Sequence, residues 1–159
     1  MHYLFMLLLT VGIVAADQIV KFFVVEQIPL HSFVTAIDGI FHLTYVRNTG
    51  AAFSSFQGMQ WLFALIFLLF TAGIIWVFVK NPIGFTTFDF YCVAAIFGGG
   101  LGNMIDRLRF SYVVDMICLD FMEFPVFNIA DCFITCGCIV LMVHLIFFNK
   151  AFWKDEKKK

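Results

Sequence analysis

Four long apolar stretches dominate this chain and fix what it can fold into. They run over about residues 3–25, 59–79, 88–104 and 128–148, each near the 20 residues a helix needs to cross a bilayer. Of 159 residues, 62% are hydrophobic and 13% are charged. That is about half the charge a soluble domain uses to coat its surface. A soluble globule, a disordered chain, collagen and a coiled coil are all excluded. The expected fold class is an all-α membrane protein with four transmembrane helices. A single integral membrane domain spans residues 1–159, with mixed outer segments at 26–58 and 105–127.

The first stretch has no Lys or Arg before it, and Val14-Ala15-Ala16-Asp17 resembles a secretory cleavage site. Apolar character resumes beyond Asp17, so an uncleaved first span is expected. In segment 26–58, His31–Ile37 and Phe41–Val46 read as short strands joined by a turn at Asp38-Gly39. This is the only region with clear strand character. Five of the ten Lys and Arg residues are Lys150, Lys154, Lys157, Lys158 and Lys159. With Lys80 they outweigh Arg47, Arg107 and Arg109 under the positive-inside rule. Both termini are therefore expected in the cytoplasm, with both mixed segments outside. Net charge is −1, which offers no strong field to nucleic acid.

Ionisable groups inside spans cost at least about 2.5–3.5 kcal/mol each, so each is a functional candidate. Asp17 and Lys21 lie four apart on one helix face and read first as a self-neutralising pair. Asn48-Thr49-Gly50-Ala51-Ala52-Phe53 suits either close backbone approach to a ligand or a turn back into the second span. Gly98 and Gly102 form a small-residue face for helix packing. Asn103, Asp106 and Arg107 share one face at the outer end of the third span. Asn128 and Asp131 open the fourth span, and a helix cap accounts for them alone.

All these groups fall toward one membrane face. Asp115 and Asp131, from separate segments, can meet there. Two close carboxylates suit hydrolysis: one activates water and the other, protonated, polarises the scissile carbonyl. No GxSxG or HExxH motif is present. Cys92, Cys118, Cys132, Cys136 and Cys138 are an odd set in apolar sequence with no neighbouring His partners. No metal, cofactor or disulfide is expected. A proton-coupled transporter is the competing class, but its carboxylates belong near the midplane and no repeat is visible. A structural membrane subunit would leave the outer polar set without a role.

The chain resembles the bacterial lipoprotein signal peptidases (signal peptidase II). The matching elements are Asp17-Gln18-Ile19-Val20-Lys21 and Asn48-Thr49-Gly50-Ala51-Ala52-Phe53-Ser54, then Gly99–Arg107 with Val113-Val114-Asp115, and Phe127-Asn128-Ile129-Ala130-Asp131. The ordered set covers the whole chain. The resemblance implies an inner-membrane aspartyl endopeptidase that cuts diacylglyceryl-modified prolipoproteins just before the lipid-bearing Cys. It implies Asp115 and Asp131 as the catalytic pair, with Asn48, Asn103, Arg107 and Asn128 in the active site. Asp17, Lys21 and Asp106 would be supporting polar residues. It further implies a small extracytoplasmic β-sheet, a short mobile outer helix, lipidated prolipoproteins as substrates, and inhibition by the cyclic peptide globomycin. Met116 and Cys132 depart from the family pattern, which often has Phe and a small hydroxyl residue there. Both neighbour the carboxylates without replacing them.

Overall fold

A computed structural model describes residues 1–50, 58–82, 84–150 and 152. The element order is α1 (His2–Gln27), β1 (Phe33–Ile37), β2 (Phe41–Asn48), α2 (Gln60–Lys80), α3 (Thr87–Phe110), β3 (Val113–Leu119) and α4 (Ile129–Phe147). All four helices are long and apolar enough to cross a membrane. Their exposed Leu, Ile, Val and Phe side chains, such as Leu4, Leu8, Leu68, Leu69, Val79 and Phe147, would face lipid rather than water.

α3 is the central helix: α1 and α4 both pack extensively on it, and α2 packs mainly against it. Its glycines explain why. A Cβ on Gly98 would lie 3.2 Å from Ile13, and one on Gly99 would lie 2.5 Å from the Ala130 carbonyl oxygen. One on Gly102 would lie 2.7 Å from an Asp17 carboxylate oxygen. Lipid tails are as apolar as side chains, so helices associate by close fit, and glycine permits it. The packing role expected of Gly98 and Gly102 is met against α1, and Gly99 adds a close contact with α4. No residue of α2 is buried, so that helix is the most peripheral.

α3 also runs further than the hydropathy suggests, to Phe110 rather than Met104. Hydropathy falls at Asn103, Asp106 and Arg107, but helix continues because Asn103 and Asp106 are buried against other elements. It ends at Ser111, which takes the left-handed conformation with φ 64°. At its other end Thr86 and Asp89 form a reciprocal capping box. The Asp89 carboxylate also accepts from Asn149 Nδ2 at 2.9 Å and lies 2.6 Å from His144 Nδ1, which clasps α3 to the end of α4.

The sheet is antiparallel, in the order β1-β2-β3. β1 and β2 fall where the alternating sequence put them, and Gly39 supplies the positive φ of 70° that their turn needs. β3 is an addition, in the segment 105–127 that carried no strand expectation. Val113-Val114-Asp115-Met116 is buried throughout, so it shows no alternation to reveal it. Val114, Met116 and Tyr45 pack with Val24 and Ile28 at the end of α1, which seats the sheet on the bundle. Among the described residues no further helix is present. Residues 51–57, which complete the Asn48–Ser54 motif, lie outside them.

The glycine face yields a direct test. Gly99→Ala should lower the unfolding temperature in detergent, at a cost of about 1–3 kcal/mol. Gly12→Ala, where nothing lies within 4 Å, should be close to neutral. Equal stability of the two variants would contradict the close approach of α3 and α4.

Candidate active site

The sequence leaves a lysine and several carboxylates stranded in apolar surroundings, and the fold brings them together at the sheet end of the bundle. Lys21 Nζ lies 2.8 Å from Asp17 Oδ2 and 2.8 Å from Asp106 Oδ2, and donates to Asn103 Oδ1 at 3.1 Å. Asp17 is fully buried, and its Oδ1 accepts from the Ala130 N–H at 3.0 Å. Asp106 Oδ2 accepts from the Val114 N–H at 3.1 Å. The Asp17–Lys21 pair expected within α1 is therefore part of a larger knot, joining α1, α3, β3 and the start of α4. Gln18, quoted in the motif but not singled out, belongs to it: its Nε2 donates to Asp106 Oδ1 at 2.8 Å. Its place one residue after Asp17, facing α3, was the available signal.

Asn103 joins this knot to a second network. Its Oδ1 also accepts from Asn128 Nδ2 at 3.0 Å, and its Nδ2 donates to Asp131 Oδ1 at 2.7 Å. Asn128 Nδ2 donates to Asp115 Oδ1 at 2.6 Å, and Asn48 Nδ2 donates to Asp115 Oδ2 at 2.9 Å. Asn48 is itself held, because its Oδ1 accepts from the Gly50 N–H at 3.0 Å. Three asparagines thus fix two carboxylates from β3 and α4. The cap explanation for Asn128 and Asp131 is also realised. Asn128 Oδ1 accepts from the Asp131 N–H at 2.9 Å, and Asp131 Oδ2 accepts from the Asn128 N–H at 3.2 Å. Capping uses one atom of each side chain and leaves the other for the network.

Both carboxylates border one cavity of about 1200 Å³, with Arg47, Asn48, Thr49, Asn103 and Arg107 on its polar side. Cys132, Ile134, Thr135 and Cys136 of α4 form an apolar side. Asp115, on the strand, has its pKa pushed up to about 6. Burial is the main cause. The hydrogen bonds from Asn48 and Asn128 oppose it, and the nearby Asp131 charge adds to it. Arg107 orients neither carboxylate by a hydrogen bond. Its Nη2 donates to the Gly50 carbonyl at 2.9 Å and its guanidinium lies 4.4 Å from the Phe63 ring centre. Its charge acts on Asp115, Asp131 and Asp106 through space. Its buried Nε–H has no partner among the described residues. No cluster of three His, Cys, Asp or Glu able to hold a metal ion occurs among the described residues.

Comparison with known proteins decides the family. The family model described as Signal peptidase (SPase) II matches residues 9–147. The chain belongs to the signal peptidase II family. It is 42% identical over 149 residues to the lipoprotein signal peptidase of Streptococcus agalactiae serotype V, covering 94% of this chain and 92% of that one. It is 42% identical over 144 residues to the lipoprotein signal peptidase of Streptococcus pyogenes serotype M2, covering 91% and 90%. Two solved structures, both titled bacterial membrane enzymes, share the fold. One, at 2.3 Å resolution, gives a TM-score of 0.84 at 30% identity over 91% of this chain and 90% of the other. The second, at 1.9 Å, gives 0.80 at 28% identity over 91% and 94%. The signal peptidase II resemblance read from the ordered motifs is thus established, and the chain is a multi-pass membrane protease.

The Lys21 knot makes a sharp stability prediction. Lys21→Met leaves Asp17 and Asp106 buried without their cation, and breaking such a pair costs about 3–5 kcal/mol. Lys21→Met should therefore unfold at markedly lower temperature than wild type in the same detergent. Combining it with Asp17→Asn should recover part of that loss. A Lys21→Met protein as stable as wild type would show that the knot is not a stabilising hub.

Proposed function

We propose that this chain is an aspartyl endopeptidase that removes signal peptides from diacylglyceryl-modified prolipoproteins, cutting before the lipid-bearing Cys. The observation that carries it is the pairing of Asp115 and Asp131 through shared asparagines at one cavity. The names of the relatives supply the substrate class.

The two carboxylates have different surroundings, which supports different roles for them. Asp131 sits in the first turn of α4, where the helix dipole favours negative charge. It is the base. Asp115 is buried on a strand with its pKa raised to about 6, which suits it to carry the proton as pH falls toward that value. Asp131 takes a proton from water as the water oxygen attacks the scissile carbonyl carbon. Asp115 donates to the carbonyl oxygen, so the tetrahedral intermediate is a neutral diol rather than an exposed oxyanion. On collapse, the leaving nitrogen takes the proton from Asp131 and Asp115 recovers its own. The asparagines position both groups.

The same reading places the enzyme in the bacterial cytoplasmic membrane with both termini inside and the sheet and site at the outer face. The basic tail and Lys80 support that orientation. A site at the helix ends lets acyl chains stay in the bilayer while the peptide reaches the carboxylates. Each buried CH₂ holds the substrate there by about 0.8 kcal/mol.

The test is cleavage of a lipidated precursor per folded enzyme. Asp115→Asn and Asp131→Asn should each remove nearly all turnover, with the double variant little worse than either single one. Asp120→Asn should keep substantial activity, because Asp120 pairs with His42 at 2.6 Å on the exposed side of the sheet. Globomycin should block the wild-type reaction. Near wild-type turnover by Asp115→Asn or Asp131→Asn would refute the mechanism.

The pH profile gives a second test. Raising pH through about 6 ionises Asp115 and leaves no proton for the carbonyl, so kcat/KM should fall on the alkaline side. The Asn48 hydrogen bond favours the charged form of Asp115 and lowers its pKa. Removing it in Asn48→Ala should raise that pKa and move the alkaline limb to higher pH. A limb that stays in place, or moves to lower pH, would remove Asp115 as the proton donor.

A further inference from the structure

Arg47 has no part in the chemistry above, yet it borders the same cavity one residue before Asn48. Its side chain is held firmly. Nε donates to the Tyr45 hydroxyl at 2.8 Å, and the guanidinium carbon lies 5.4 Å from the Tyr45 ring centre and 5.0 Å from that of Tyr112. The two tyrosines also meet each other, hydroxyl to hydroxyl, at 3.5 Å. Arg47 forms no ion pair among the described residues, although Glu123 borders the same cavity. The residue is exposed, so the outer edges of the guanidinium are open to a ligand. A cation needed only to brace the sheet would be expected to bond a carboxylate. This one is instead pre-positioned on two aromatic faces, and among the described residues its remaining N–H groups have no hydrogen-bond partner, which lowers the entropy lost on binding an acceptor.

The cavity has a polarity gradient that says which acceptor. Its α4 wall, with Cys132, Ile134, Thr135 and Cys136, follows Asp131 along a helix long and apolar enough to cross a membrane. Arg47, on β2, and Thr49, directly after that strand, border the cavity at the sheet. An apolar signal peptide belongs along the α4 wall, so the chain beyond the cut leaves past the sheet. We infer that Arg47 is a specificity-determining residue that reads the first residues after the lipid-bearing Cys and favours a carboxylate there. This rests on the function proposed above. The guanidinium fork offers two parallel N–H donors to a carboxylate, and only one-point repulsion to a lysine.

The experiment uses full-length enzyme and three lipidated precursors that differ only at the second residue after the lipid-bearing Cys: Asp, Asn or Lys. Wild type should prefer the Asp precursor over the Lys precursor by about fivefold in kcat/KM, the size expected of a partly exposed ion pair, with the difference in KM. Arg47→Glu should invert the order. Arg47→Gln, which keeps a donor beside Tyr45, should flatten it while kcat on the Asn precursor stays near wild type. Glu123→Gln should keep the wild-type order. An unchanged preference in Arg47→Glu or in Arg47→Gln, or no preference in wild type, overturns the inference while leaving the peptidase reading intact. Failure of wild type to cleave any of the three overturns that reading and the inference with it.

Discussion

One buried ammonium group organises the rest of this protein. Lys21 is 3% exposed and lies 2.8 Å from each of two carboxylates, Asp17 and Asp106. In a bilayer none of these charges can turn to water, and each alone would cost several kcal/mol to bury. Together they are tolerable only if α1 and α3 meet in one register. The remaining lone pairs are then taken by the Ala130 and Val114 N–H groups, which also fix the start of α4 and the strand carrying Asp115. An electrostatic requirement thus becomes a positioning device. The knot does not touch the peptide bond to be cut, yet it sets where both candidate carboxylates sit.

The glycines of α3 are the steric half of the same arrangement. Gly102 lies against the Asp17 carboxylate, and Gly99 lies against the Ala130 carbonyl. A side chain at either place would push α1 or α4 away and stretch the hydrogen bonds that the knot requires. Close packing and charge neutralisation therefore specify one geometry between them. Asn103, one residue beyond Gly102, carries that geometry onward to Asn128 and Asp131.

Asparagine is well suited to the link. Its amide gives and accepts without charge, so three of them can orient two carboxylates without neutralising either one. An arginine or lysine in the same place would form an ion pair and hold both carboxylates ionised. Arg107 is instead tied to the Gly50 carbonyl and the Phe63 ring, near the carboxylates but not bonded to them. This leaves Asp115 with a raised pKa in a buried, amide-lined place, and Asp131 at a helix start.

By itself the sequence determined the four apolar helices, the β1–β2 hairpin and the family, because hydropathy, a two-residue period and ordered motifs are local properties. Several residues of the candidate site were legible too, since a charge or amide in an apolar run, such as Asp17, Lys21, Asn103 or Asp131, stands out by its cost. What the sequence could not show was their pairing. Lys21 reads as the partner of Asp17, four residues away, and its second bond to Asp106 depends on how α1 meets α3. β3 was hidden because both its faces are covered, which erases the alternation that marks a strand. The continuation of α3 to Phe110 was hidden because Asn103 and Asp106 are satisfied by other elements rather than by solvent. Arg47 gave no signal beyond its charge, because its second aromatic support, Tyr112 just before β3, is remote in sequence from Tyr45 and Arg47 on β2. Only tertiary structure decides contacts between residues so far apart, since hydrogen bonds and ion pairs form by distance in space and not by position in the chain.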